Sequence, residues 1–171
     1  MKRSISLSAA FSLIELTLAI GIAAFCLIAV IGIIPVGVQT NRNATSQTRA
    51  TSVMSAAVTD LRSTPKSIFT SRRFGITIPS DHTLGAGSNC DRCSSCWNAQ
   101  TQTIYFDGSG QVVASAAALY RLTLTLVQNP SATSTTGALF YDLRTTWPAA
   151  TDPCAITPSG SVEMLAAFDR N

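Results

Sequence analysis

Residues 10–41 read AFSLIELTLAIGIAAFCLIAVIGIIPVGVQTN, and between Leu16 and Asn41 this stretch holds no Asp, Glu, Lys, Arg or His. Those 26 residues exceed the roughly 20 that an α-helix needs to cross the hydrocarbon core of a bilayer. A single membrane-spanning helix is therefore expected over 11–38. The flank before it, Met1 to Ala10, is short and polar and carries Lys2 and Arg3. Basic residues are retained on the cytoplasmic side of a membrane, so the chain after Val38 is expected outside the cytoplasm. A secretory signal would put small residues after the apolar run. Here Val36-Gly37-Val38-Gln39-Thr40 follows it, and the small pair Ala9-Ala10 precedes it.

One residue breaks the apolar pattern. Glu15 lies one turn inside the run, where an unpaired carboxylate placed centrally costs about 2.5 to 3.5 kcal/mol on insertion scales. Near the helix end the side chain can also reach the interface and remain solvated.

The nine residues Ala10-Phe11-Ser12-Leu13-Ile14-Glu15-Leu16-Thr17-Leu18 resemble the processing site of type IV prepilins: a short basic leader, a small residue, Phe, a few apolar residues, then Glu. The resemblance implies residues 1–10 as a leader, cleavage between Ala10 and Phe11 by a prepilin peptidase, and methylation of the new Phe11 amino group. It further implies that Glu15 pairs with that amino group on a neighbouring subunit during assembly. Burying a carboxylate and an ammonium costs several kcal/mol each, and pairing offsets much of both while fixing an axial register. Most members of the family have Gly where this chain has Ala10.

Beyond the apolar run the helix is expected to continue over 39–64. Pro35 removes a backbone donor and predicts a kink or local unwinding near Ile31 to Pro35. Ala50, Val53, Met54, Ala57, Val58 and Leu61 recur at helical spacing and form one apolar face. Pro65, after Ser63 and Thr64, stops the helix around Leu61 to Ser63.

Residues 65–171 then change period. Short alternating runs at Phe74–Ile78, Thr103–Phe106, Gln111–Ala114, Leu119–Val127 and Ala138–Trp147 read as strands of an antiparallel sheet. Asp107-Gly108-Ser109-Gly110 between two apolar runs signals a hairpin. A meander that pairs Leu119–Val127 with Ala138–Trp147 across the polar Asn129–Gly137 loop is the simplest topology. The expected fold is thus α+β, a long N-terminal helix packed on a small antiparallel sheet. Tyr105–Gly110 and Tyr141–Pro148 resemble the globular halves of minor pilins and pseudopilins, and the whole chain is similar to the Verru_Chthon cassette protein B family of pilin-like proteins.

Of the five cysteines, Cys26 falls in the apolar helix and reads as a packing residue. Cys90, Cys93 and Cys96 form CDRCSSC in a polar loop, and Cys154 stands apart. An even number outside the cytoplasm favours two disulfides. Three pairings are open, and each ties Cys154 to the 90s loop. Four thiolates could instead hold zinc or, less fittingly, an iron–sulfur cluster, since Pro153 precedes Cys154 where the bacterial ferredoxin pattern has Pro after its last ligand.

The single histidine, His82, sits beside Asp81 in a loop and is expected to be solvated. With no phosphate loop, paired-carboxylate motif or His-based metal signature, neither enzymatic activity nor a cofactor is expected. Formal charge is +3, falling to about +1 if Lys2 and Arg3 are removed, which gives no ground for nucleic acid as a partner. The implied partners are prepilin peptidase, other pilin-like subunits of a filament and the inner membrane. The alternative is an unprocessed single-pass membrane protein whose outer domain binds a partner or zinc through the cysteine loop.

Overall fold

The computed structural model describes residues 12–87, 93–94, 100–133 and 137–169. They form one long helix, α1 (Leu13–Ser63), followed by strands β1 (Thr101–Phe106), β2 (Tyr120–Val127), β3 (Ala138–Trp147) and β4 (Gly160–Asp169). The fold is α+β, as the sequence pattern requires. The chain divides into two compact units between Arg42 and Asn43.

In the first unit the helix runs through Pro35 without a non-helical residue, so the local unwinding admitted near Ile31 does not occur. Proline only forfeits the one bond its missing N–H would have donated. Every large hydrophobic side chain from Leu13 to Val38 is between 48% and 81% exposed.

In the second unit the helix is rich in Ser and Thr, which ordinarily compete with helical hydrogen bonding. Here Thr48, Thr51 and Thr59 donate their hydroxyls to the carbonyls of Ala44, Gln47 and Ser55, each at 2.8 to 2.9 Å. Back-bonding of this kind satisfies the hydroxyl inside the helix. The last turn closes with Ser63 and Thr64 hydroxyls both donating to Asp60 O, and Pro65 prevents continuation.

The four strands pair in sequence order as an antiparallel meander. One face carries Phe106, Leu122, Leu124, Leu126, Leu139, Tyr141, Leu143, Ala166 and Phe168, which share a core with Ala50, Val53, Met54, Ala57, Val58 and Leu61 of α1. Leu124 and Leu143 stand opposite each other at full burial, and burying each such side chain contributes about 1.5 to 3 kcal/mol. At the end of the sheet the Trp147 indole packs edge-on against Tyr120 and covers Gly160, its partner in register.

Four expectations need correction. Phe74–Ile78 is not a strand: Ser71 N donates to Ile76 O, Gly75 N to Ser71 O and Ile78 N to Phe69 O, making a tight turn with Gly75 at φ 67°. Its alternation is real, since Phe74, Ile76 and Ile78 are all buried, but its ladder is replaced by a side chain. Gln102 Oε1 accepts from Thr77 N and Gln102 Nε2 donates to Thr77 O, both at 2.7 Å.

Second, the chain does reverse at Asp107–Gly110, but Gln111–Ala114 returns through a single bridge, Phe106 to Val112, before a 3-10 turn at Ser115–Ala117. Asp107 Oδ1 accepts from Ser109 N, Ser109 Oγ and Gln111 N at 2.7 to 3.0 Å. These bonds, the Ser109 hydroxyl foremost, hold its carboxyl below the ordinary carboxylate value. Third, β4 is a strand absent from the sequence expectation. Fourth, His82 is buried, with Nδ1 2.8 Å from Gly137 O; an N–H donated to that carbonyl satisfies it in place of solvent.

Two substitutions test this account. Asp60 is 7% exposed, and its carboxylate accepts from Arg73 N and Phe74 N at 3.0 to 3.2 Å. Asp60→Ala strands both donors and should cost about 2 to 4 kcal/mol by urea unfolding, with Asp60→Asn losing less; a loss below half a kcal/mol would remove the pin. A Cβ at Gly160 would sit 2.2 Å from Trp147 Cζ2, so Gly160→Ala should lower stability by about 1 to 3 kcal/mol. The depressed Asp107 stabilises the fold above the ordinary carboxylate pKa, and that stabilisation is lost as pH falls through its lower folded value. Asp107→Ala should therefore flatten the acid limb of a stability profile taken below about pH 4.

Candidate functional site

Two sequence features could carry function, and they lie in different units. The first is Glu15, in the first turn of α1. Glu15 N donates to Ser12 O at 3.0 Å and Leu16 N to Ser12 O at 3.2 Å, so helical bonding begins at Ser12. A carboxylate there complements the positive end of the helix dipole. Among the described residues Glu15 has no ion-pair partner, and its neighbours Leu13, Ile14, Leu16 and Leu18 are apolar and exposed. The helix is long and apolar enough to cross a membrane. Cys26 is a free thiol on the same surface. Ala10 and Phe11 lie outside the described residues.

The second feature is the cysteine set. Cys93 and Cys154 are joined, with Cα atoms 5.5 Å apart across 61 residues of sequence. Of the three open pairings, this is the one in which Cys154 takes the central cysteine of CDRCSSC. Cys90 and Cys96 lie outside the described residues. The bond consumes two of the four thiolates that a zinc or iron–sulfur site would have used, and among the described residues no cluster of His, Cys, Asp or Glu could hold a metal.

The segment carrying Cys154 is shaped by Asp152, which sequence reasoning passed over. Asp152 Oδ1 accepts from Cys154 N at 3.1 Å, and Asp152 O accepts from Ala155 N and Ile156 N. The same carboxylate lies 3.4 Å from Arg121 Nη1 on the sheet face away from α1. A short Asp-Pro-Cys run was its only signal. Arg144 Nε and Glu163 Oε1, 3.1 Å apart, make a second ion pair on that face.

Asp60 was likewise missed, although a lone carboxylate between Ala57 and Leu61 on the buried side of a helix is a visible anomaly. Backbone N–H groups of their own fold donate to both carboxylates. Asp81 does not orient His82: Thr83 N and Thr83 Oγ1 occupy it at 2.9 and 2.7 Å, and the Thr83 hydroxyl chiefly lowers its pKa. Compared with protein-family models, with curated proteins and with solved structures, the chain matches none.

The disulfide can be checked directly. Peptide mapping without reduction should recover a Cys93–Cys154 linked pair, and finding both thiols free would remove it. Closing a loop of this length is worth about 4 kcal/mol in the chain-entropy account, so Cys154→Ser should lower unfolding stability by about 2 to 4 kcal/mol.

Proposed function

We propose that this chain is a pilin-like structural subunit, a minor pilin or pseudopilin, which is cleaved between Ala10 and Phe11, methylated at Phe11 and assembled from the inner membrane into a filament. The domain then lies outside the cytoplasm, and the protein is not an enzyme. The observation that carries the reading is Glu15: one carboxylate in the first turn of a helix whose next 26 residues hold no Asp, Glu, Lys, Arg or His.

Three features support it further. The helix presents an apolar surface on all sides, which suits both storage in lipid and packing against like helices in a filament core. Its second half serves as the spine of an antiparallel sheet, so one continuous helix carries both anchor and domain. A disulfide between Cys93 and Cys154 fits an oxidising compartment.

Glu15 then acts by electrostatic matching. In the membrane it tolerates the interface; in the filament it meets the Phe11 ammonium of a neighbour, and the axial stagger is fixed by the one position at which both charges are neutralised. N-terminal sequencing or intact mass of the membrane-extracted protein should give methylated Phe11 as the first residue. An intact Met1 would replace this reading with that of an unprocessed single-pass membrane protein. Glu15→Ala should leave membrane insertion unchanged while reducing incorporation into filaments at least tenfold, measured as sheared-filament yield; undiminished incorporation would deny Glu15 the pairing role.

A further inference from the structure

The charges of the second unit are sorted. Arg121 and Arg144 are each matched to an acid, whereas Arg62, Lys66, Arg72 and Arg73 are all exposed and, among the described residues, form no ion pair. These four fall within twelve residues of sequence, and the fold gathers them further. Arg62 stands in the last turn of α1. Lys66 follows in the turn closed by Ile68 N donating to Pro65 O. Arg72 and Arg73 form the tip of the 71–76 turn, which Asp60 docks against the same last turn of the helix through Arg73 N and Phe74 N. One open depression of about 360 Å³ is lined by Ser63 and Arg73, and the adjoining one of about 530 Å³ by Arg62, Ser63 and Lys66.

A helix C-terminus favours a cation in its final turn, which accounts for Arg62. It does not account for Lys66, Arg72 and Arg73, which lie beyond the helix. Nor is the cluster neutralised from within: Asp60 is turned inward to backbone donors, leaving Asp169 at the end of β4 as the carboxylate lining the same depression. The guanidinium of Arg73 lies over the Phe74 ring at 4.9 Å and that of Arg62 over Phe168 at 5.9 Å, so both stems are supported on aromatic faces. Phe69, inside the same stretch, is half exposed.

We infer that this basic end of the domain binds the phosphate backbone of a single-stranded nucleic acid, with Phe69 as a stacking platform for a base. Three of the four cations are arginines, whose planar fork matches phosphate in a bidentate way. An exposed aromatic within a short run of cations in the sequence is the combination that single-strand binding uses. An acidic polypeptide would exploit the charge but leave Phe69 without purpose. Net charge, the ground on which nucleic acid found no support, averages over this segregation. The inference stands apart from the filament reading and holds whether or not Phe11 is the mature N-terminus.

The test is fluorescence anisotropy of a labelled twenty-nucleotide deoxythymidine oligomer with the full chain in detergent. Binding at 50 mM salt should weaken roughly fifty-fold at 200 mM, the loss expected of about four phosphate contacts on a single strand. The pairs Arg62→Gln with Lys66→Gln, and Arg72→Gln with Arg73→Gln, should each weaken binding about tenfold. Phe69→Ala should weaken it at least fivefold, the lower end for loss of one stacked base, while Arg49→Gln, outside the cluster, should not. Near-UV circular dichroism of each variant identifies any that fails to fold. No binding at 50 mM salt, or binding that survives both double substitutions in folded protein, overturns the inference. Polyglutamate bound as tightly as the oligomer also overturns it, and assigns the surface to an acidic protein.

Discussion

The domain depends on one helix face. Ala50, Val53, Met54, Ala57, Val58 and Leu61 are the buried residues of α1 that share a core with the sheet's apolar face, and two of the six are alanines with no exposed surface. Small side chains there let a helix approach a sheet closely enough for Leu122, Leu124 and Leu143 to be excluded from water altogether. Asp60, one position before Leu61, then ties the 71–76 turn to the same helix, and that turn closes the core with Phe74 and Ile76. Edge strand β1 is held in turn through Gln102. Loosening the face would release the turn, the edge and the core together.

The first unit poses the opposite problem. Fifteen large hydrophobic side chains from Leu13 to Val38 are exposed, and covering them is worth on the order of twenty to forty kcal/mol at about 1.5 to 3 kcal/mol each. Against that, one carboxylate costs only about 2.5 to 3.5 kcal/mol in lipid. Glu15 therefore cannot keep the helix out of an apolar environment. Its small cost can still decide between environments of nearly equal apolarity, such as lipid and a bundle of like helices, because there the large hydrophobic term cancels.

Much of this was legible in the sequence where a pattern is repeated and local. The helical stripe ending near Ser63, the turn at Asp107–Gly110 and the bounds of β3 each follow from period or turn chemistry within a dozen residues. What escaped is set by distant partners. β4 reads Gly-Ser-Val-Glu-Met-Leu-Ala-Ala-Phe-Asp, rich in helix formers, and its inward set of Val162, Met164, Ala166 and Phe168 becomes a strand only because β3 is there to pair with it. Phe74–Ile78 has strand alternation, but Thr77 meets the edge strand β1 through the Gln102 side chain in place of a backbone ladder. His82 looks solvated until Gly137, 55 residues away, supplies its acceptor. For the candidate site, Glu15 and the cysteines were visible as anomalies of type and spacing. The choice of Cys93 for Cys154 was not, since all three pairings satisfy the same count.

The two carboxylates of α1 make the most instructive contrast. Asp60 is buried and complete: two backbone N–H groups of its own chain occupy it, and its role ends with the domain. Glu15 stands among apolar side chains and has no such partner among the described residues. A carboxylate in water needs none, but this one sits on a surface that apolar burial drives out of water. Its compensation must therefore come either from the polar edge of a bilayer or from a cation brought by another chain. The first supplies only tolerance and would serve as well one turn either side. The second makes the position of the charge along the helix matter, and that sensitivity to axial position is what a subunit of a regular filament requires.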